Sequence, residues 1–211
     1  MFAFKVDAAD SASHARAGCL QTPHGVVETP AFMPVGTRGS IKGVTPEQVA
    51  QTGTQIMLAN TYHLHVRPGA DTVRALGGLH AFSGWSGPIL TDSGGYQVFS
   101  LAELNTITDA GVTFRSHVDG AWLHLDAATA IEIQAKLGAD IIMAFDECPA
   151  LPAPRPRIEA AVERTVRWAR ECRQIHQQIL ESGLAGGAPS RIGSAGGSPS
   201  PAGDSAWGAG V

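Results

Sequence analysis

The sequence predicts an α/β fold in which a parallel sheet is built from strand-helix units and is preceded by a small antiparallel sheet. Apolar runs with no polar alternation, at residues 55–59 (QIMLA), 88–91 (PILT) and 140–145 (DIIMAF), read as strands buried on both faces. Segments with helical start and stop signals separate those runs, which is the rhythm of βα units. The composition agrees: 211 residues, 44% hydrophobic and 16% charged, suffice for one domain with a core.

Each element has a local reason. Up to about Thr37, short apolar stretches between Gly/Pro turns, as in GVVETPAFMPVG, predict a few short antiparallel strands. Thr45 followed by Pro46 and Glu47 opens a short helix that closes at Gly53. DTVRALGG predicts a second short helix, and AATAIEIQAKLG a longer one stopped by Gly138. GVTFRSHVDGAWLHLD alternates around Asp119-Gly120, a hairpin signal. In RIEAAVERTVRWARECRQIHQQIL an amphipathic helix is expected, with Ile158, Val162, Thr165, Ala169, Cys172 and Ile179 as its apolar stripe and Arg164, Arg167 and Arg170 on its flanks.

Composition excludes several classes. With 15 Lys+Arg against 19 Asp+Glu the formal net charge is -4, so no overall basic footprint announces nucleic-acid binding, although local patches stay open. Cys19, Cys148 and Cys172 are odd in number and far apart, suggesting neither a disulfide framework nor a metal knuckle. No long apolar window suggests a membrane span, and the N-terminus lacks the order of a secretory leader, so a cytoplasmic protein is expected. From Gly183 to Val211 the character changes: nine Gly, six Ala, five Ser and three Pro make up 23 of the 29 residues. The expectation is a domain over 1–182 followed by a disordered tail over 183–211, either a natural linker or the product of a frameshift in a GC-rich gene.

Candidate chemistry gathers where the apolar runs end: Asn60-Thr61-Tyr62, Asp92-Ser93-Gly94-Gly95 and Asp146-Glu147-Cys148. In parallel α/β folds the carboxyl edge of the strands binds ligands, because its loops vary while the strands hold them. Asp92 reads either as a helix cap or as a functional carboxylate, and the two glycines allow close approach of a ligand. Asp146 follows an apolar run, where a carboxylate must find donors. Two acceptor-only carboxylates suit a purine-like ring with its N–H and amino donors. Tyr96 could stack on such a ring or belong to the core, and Gln97 could offer its amide. Cys148 reads as pocket wall rather than nucleophile, since no histidine is fixed beside it. His63-x-His65 is the nearest approach to a metal pattern but lacks a third ligand, and no metal is expected. His24, His117 and His124 fall in turn or hairpin contexts and read as surface residues.

Residues 25–49 (GVVETPAFMPVGTRGSIKGVTPEQV), 58–69 (LANTYHLHVRPG), 77–101 (GGLHAFSGWSGPILTDSGGYQVFSL), 111–120 (GVTFRSHVDG) and 141–149 (IIMAFDECP), in this order and spacing, closely resemble the N-terminal half of the bacterial-type tRNA-guanine transglycosylase family. The resemblance implies a (β/α)8 barrel transferase that exchanges guanine at the tRNA wobble position for a 7-deazaguanine base during queuosine biosynthesis. In that family a carboxylate attacks ribose C1′, guanine leaves, and the incoming base resolves the covalent intermediate. Asp92 matches the proton-transferring aspartate that also contacts the base. Ser93, Gly94, Gly95 and Tyr96 match the base-binding loop, with Tyr96 as the stacking aromatic. Asp146 matches the carboxylate reading the donor edge, and Cys148 lines the same pocket.

The resemblance stops near Leu180, where ESGLAGGAPSRIGSAGG stands in place of the family's next strand. About three of eight barrel strands are then encoded, so the expected barrel is incomplete. The nucleophilic aspartate, the basic tRNA-binding block and the Cys/Cys/Cys/His zinc site fall outside the resemblance, which implies a truncated or frameshifted chain without cofactor and without transglycosylation activity of its own. The implied partners are tRNA and the deazaguanine base, with a homodimer common in the family and no membrane. A non-catalytic RNA-binding or regulatory partner of a full-length enzyme is the alternative, against which the retained Asp92 and Asp146 speak.

Overall fold

A computed structural model describes residues 2–101 and 105–183; the proposed tail beyond Gly183 lies outside the described residues. Strands β1 (Ala3–Ala9), β2 (Arg16–Thr22) and β3 (Gly25–Thr29) form the expected antiparallel sheet in the order β1-β2-β3. Beyond β3 the chain runs alongside β4 (Met57–Ala59): Leu58 N donates to Pro34 O at 3.0 Å and Gly36 N to Leu58 O at 2.8 Å. Val35 thereby bridges Leu58 in parallel, a pairing that the Gly/Pro-rich sequence there conceals.

The central sheet is parallel, in the order β4-β5-β9, with β5 (Ile89–Thr91) between β4 and β9 (Ile141–Ile142). Among the described residues, the three strands follow one another in sequence order and none pairs back to close the sheet. Helix α1 (Pro46–Gln51) precedes β4, and the connections between the three strands carry α2 (Thr61–Val66), α3 (Ala70–Ala75), α4 (Gly78–Ser83), α5 (Gly95–Leu101) and α6 (Ala127–Leu137). Thr45 caps α1 in a capping box with Gln48, and α6 runs from the Asp126 cap to Gly138 in the left-handed region at φ 73°. Between α5 and α6 lies a meander of β6 (Asn105–Thr108), β7 (Gly111–Arg115) and β8 (Trp122–Leu125). The β7–β8 hairpin forms as expected, but Arg115 pairs with Trp122, so its loop is 116–121 rather than a two-residue turn at Asp119-Gly120. Gly120 occupies the left-handed position at φ 74°.

The third apolar run departs from expectation. Only Ile141 and Ile142 are strand, both half-buried, and Met143 and Ala144 are exposed. Among the described residues, β9 pairs on one side only, with β5. Gln134, fully buried on α6, ties down its exit: its side chain accepts from Thr91 Oγ1 (3.0 Å) and Met143 N (2.9 Å) and donates to Met143 O (2.9 Å). The long helix α7 (Arg155–Glu181) packs on α6. Its buried line is Ala161, Trp168 and Cys172, continued by Ile175 and Ile179. Ile158 and Val162, expected in that stripe, are 36% and 57% exposed. At 100° per residue they sit about 80° and 120° round the helix from Trp168. Trp168 lies against Phe145 with ring centroids 4.8 Å apart and donates Nε1–H to Asp109 O at 2.8 Å. No helix among the described residues is long and apolar enough to cross a membrane.

Candidate active site

The parallel order of β4, β5 and β9 brings their carboxyl ends to one edge, where Asn60, Asp92 and Asp146 lie. Asp92 leaves β5 and is surrounded by donors. Its Oδ1 accepts from Thr61 N at 2.8 Å and Gly94 N at 3.2 Å. Its Oδ2 accepts from Asn60 Nδ2 at 2.5 Å and Gln97 Nε2 at 2.9 Å. Two donors are backbone and fixed; the other two are side-chain amides that can turn toward a ligand. Thr61 Oγ1 further clamps the Asp92 carbonyl at 2.5 Å. Asp92 is thus more than a helix cap, since its partners come from β4's exit as well as from its own loop.

Ser93, buried and next to Asp92 in the chain, ties the loop that carries Asp92 to Asp146. Its Oγ donates to Asp146 Oδ1 at 2.7 Å and accepts from Gly95 N at 3.1 Å. Gly95 admits nothing larger: a Cβ there would lie 2.6 Å from Asp146 O and 3.1 Å from Asp146 Oδ1. Gly94 takes φ 80°, a left-handed conformation that turns the chain from β5 into α5. Tyr96 is 65% exposed, which removes the core reading and leaves a free aromatic face on the first turn of α5. Because Gln97 Nε2 must face the acceptor Asp92, the amide orientation is settled, and Gln97 Oε1 is left buried without a hydrogen-bond partner. Gln97 Oε1 therefore adds a further buried acceptor next to the Asp92 carboxylate.

Cys148 Sγ–H donates to Asp146 Oδ2 at 3.0 Å. Burial, then the hydrogen bond to Asp146 and the negative charges of Asp146 and Glu147, push its thiol up to about 12, which favours the protonated form that donates to Asp146. The loop that carries Asp146 is anchored from α7, a feature the sequence did not disclose. The Glu147 side chain is fully buried; Arg164 hydrogen-bonds one of its oxygens, while Arg157 faces the other as a charge partner without an aligned hydrogen bond. Glu147 N donates to Thr165 Oγ1 at 3.0 Å, and Arg164 and Arg167 also reach Asp109, at 3.1 and 2.7 Å. Arg164 is therefore an inward-facing anchor rather than a flank residue. The only hint in the sequence was a carboxylate next to Asp146 and arginines at helical spacing.

The histidines regroup. His63 and His65 lie on α2, where residues two apart face different sides, so they do not converge. His63 meets His117 edge to face at 5.7 Å, and burial, then the His117 and Arg38 charges, lower its pKa. His117 is exposed as expected but also hydrogen-bonds the buried Tyr62 hydroxyl at 2.6 Å. His124 is exposed and reaches Thr113 at 3.0 Å. Among the described residues, one group of three such side chains, His24, His80 and Asp140, brings potential metal-ligand atoms together, at the opposite end of the sheet.

The arrangement thus offers acceptors to a flat, donor-rich ring and an aromatic face beside them. The family model for queuine tRNA-ribosyltransferase matches residues 10–190. Queuine tRNA-ribosyltransferase of Cyanothece sp. is 58% identical over 185 residues, 88% of this chain and 49% of that protein. The Moorella thermoacetica enzyme is 57% identical over 175 residues (83% and 47%), and the Thermus thermophilus enzyme 58% over 167 (79% and 43%). The chain spans about half the length of the curated relatives it matches.

Proposed function

Because this chain belongs to the queuine tRNA-ribosyltransferase family, we propose that its strand-edge site reads a guanine-like base in the exchange of a tRNA guanine for a 7-deazaguanine. Its three parallel strands form a sector of the (β/α)8 barrel that the resemblance implies. The observation that carries the reading is that Asp92 and Asp146 share one sheet edge, the Asp92 loop being tied to Asp146 by Ser93, with the buried acceptor Gln97 Oε1 next to Asp92. Every one of these presents an acceptor, and guanine presents donors at its ring N–H and exocyclic amine.

The roles divide by position. Asp146, held by Ser93 and Cys148, reads the donor edge, and Tyr96 supplies a stacking face. Gly94 and Gly95 let the backbone come close to the ring. Asp92 moves the proton: as the glycosidic bond of guanine breaks, the departing base takes a proton, and the incoming base surrenders one as its nitrogen bonds ribose C1′. Asn60 and Gln97 hold Asp92 until then. The nucleophile that carries the ribose in between is assigned by the resemblance to a carboxylate beyond about residue 180, and Asp92, held on both oxygens, is not in a position to do both tasks. A tRNA substrate places this work in the cytoplasm. The zinc site of the resemblance is not met by the cysteines described: Cys19 lies in β2, Cys148 bonds Asp146 and Cys172 is buried in α7.

The test is base binding by calorimetry with guanine and with 7-aminomethyl-7-deazaguanine. Asp146→Asn replaces an acceptor by a donor and is expected to weaken both bases by at least tenfold, whereas xanthine, which lacks the exocyclic amine, binds poorly to the native chain. Equal affinity for guanine in native, Asp92→Asn and Asp146→Asn chains would contradict the assignment.

A further inference from the structure

We propose that His24, His80 and Asp140 form a site for a single divalent transition ion of the zinc class, tying three separate elements together at the amino-terminal end of the parallel sheet. This inference is independent of the base-reading function. His24 sits in the turn between β2 and β3, His80 on α4, and Asp140 immediately before β9. His24 Nδ1 lies 2.7 Å from Asp140 Oδ1, and His80 Nε2 lies 3.0 Å from Asp140 Oδ2. One ligand atom from each residue falls within 4.8 Å of the others.

The parts of a site are present. Asp140's carboxylate is fully buried, and Ile89 N donates to its Oδ2 at 2.9 Å, which fixes its plane and leaves Oδ1 toward His24. The strand register holds it from behind, with Asp140 N bonded to Ile89 O at 2.9 Å. His80's side chain is 15% exposed and held by α4, whereas His24's is 34% exposed on a turn. The two imidazoles stack at 3.6 Å with 18° between their planes, so their nitrogens lie side by side over one carboxylate. Stacked rings this close must splay for both nitrogens to come within about 2.1 Å of one ion. His24, on its exposed turn, is the group free to tilt. Each imidazole frees the required lone pair by tautomer exchange, its proton passing to the other ring nitrogen.

The donor set selects the ion. Two imidazoles and one carboxylate favour Zn²⁺, Co²⁺ or Ni²⁺ over Mg²⁺ and Ca²⁺, which prefer oxygen alone. With three protein ligands a water fills the fourth position. The site lies at the sheet end away from Asp92, so its consequence is mechanical: it staples the β2–β3 turn and α4 to the start of β9.

The metal-stripped full chain is titrated with Zn²⁺ by calorimetry and with Co²⁺ by visible absorption. One ion per chain is expected, with the d–d bands of low-coordinate Co²⁺ and without a thiolate charge-transfer band. His24→Ala and His80→Gln should each raise the dissociation constant at least tenfold, and His24→Ala should abolish the rise in thermal midpoint that Zn²⁺ gives the native chain. A Cys19→Ser/Cys148→Ser chain should bind as the native one does. Near-ultraviolet circular dichroism verifies that each variant is folded, and Gln at position 80 keeps a donor for Asp140. Failure of the native chain to bind, or binding that survives either histidine replacement, overturns the site and leaves a hydrogen-bonded clamp.

Discussion

Asp146 is held by two hydrogen atoms of different character, the Ser93 hydroxyl and the Cys148 thiol. The thiol matters because a carboxylate can orient toward a ligand only if its other contacts stay protonated. Burial and the neighbouring Asp146 and Glu147 raise Cys148 to about 12, so it remains S–H across the physiological range. At pH 8 only about one thiol in ten thousand is ionised, and even with the greater intrinsic nucleophilicity of a high-pKa thiolate, alkylation runs roughly fifty- to a hundredfold slower than for an ordinary cysteine. The direction with pH follows: reactivity with iodoacetamide climbs as pH approaches 12, and urea unfolding at pH 8 restores the ordinary rate. Mass spectrometry of the Cys148 peptide reads both. A Cys148 that alkylates at the ordinary rate in the folded chain would mean that its contact with Asp146 is absent.

At the scale of elements, α7 determines where the Asp146 loop sits. Arg157 and Arg164 hold Glu147, and Trp168 presses on Phe145, the residue just before Asp146. A buried ion pair gives little net stability but is costly to break on one side, so the arginines act chiefly to set position. Trp168 supplies the stability. Trp168→Ala is expected to lower the unfolding free energy by about 3–5 kcal/mol, through lost burial and an unfilled cavity. Trp168→Phe, which keeps a ring but leaves Asp109 O without its donor, should cost about 1–2 kcal/mol. Urea unfolding followed by far-ultraviolet circular dichroism measures both, and a Trp168→Ala chain as stable as the native one would show that α7 does not pack as described. The apolar stripe of this helix was half legible: Cys172 and Ile179 fall on the buried line, but Ile158 and Val162 do not. Hydrophobic spacing alone cannot tell which of two adjacent apolar lines a neighbouring element will cover.

Across the whole molecule, protection should grade from the middle of the parallel sheet outward. β5 has strand partners on both sides, β9 on one, and β1 is an exposed edge throughout. Hydrogen exchange is therefore expected to be slowest at Ile89–Thr91 and at least tenfold faster along β1 and at Ala144, whereas Met143 N is protected by its bond to buried Gln134. Exchange at Ala144 as slow as in β5 would mean that the open side of β9 is covered in solution. The sequence by itself determined the α/β class, the capped helices, the parallel strands and the residues at their carboxyl ends, because caps, breakers and unbroken apolar runs act over a few neighbouring residues. It also disclosed the family, through blocks whose order and spacing are specific. Tertiary structure alone decided which distant groups meet: Glu147 with two arginines of α7, buried Gln134 bridging β5 to the exit of β9, and His24 with His80 and Asp140. Those pairings span from 9 to 116 residues of chain, and they depend on how helices cross the sheet rather than on any local periodicity. The same reason separates His63 from His65, which a strand would have placed on one face and a helix does not.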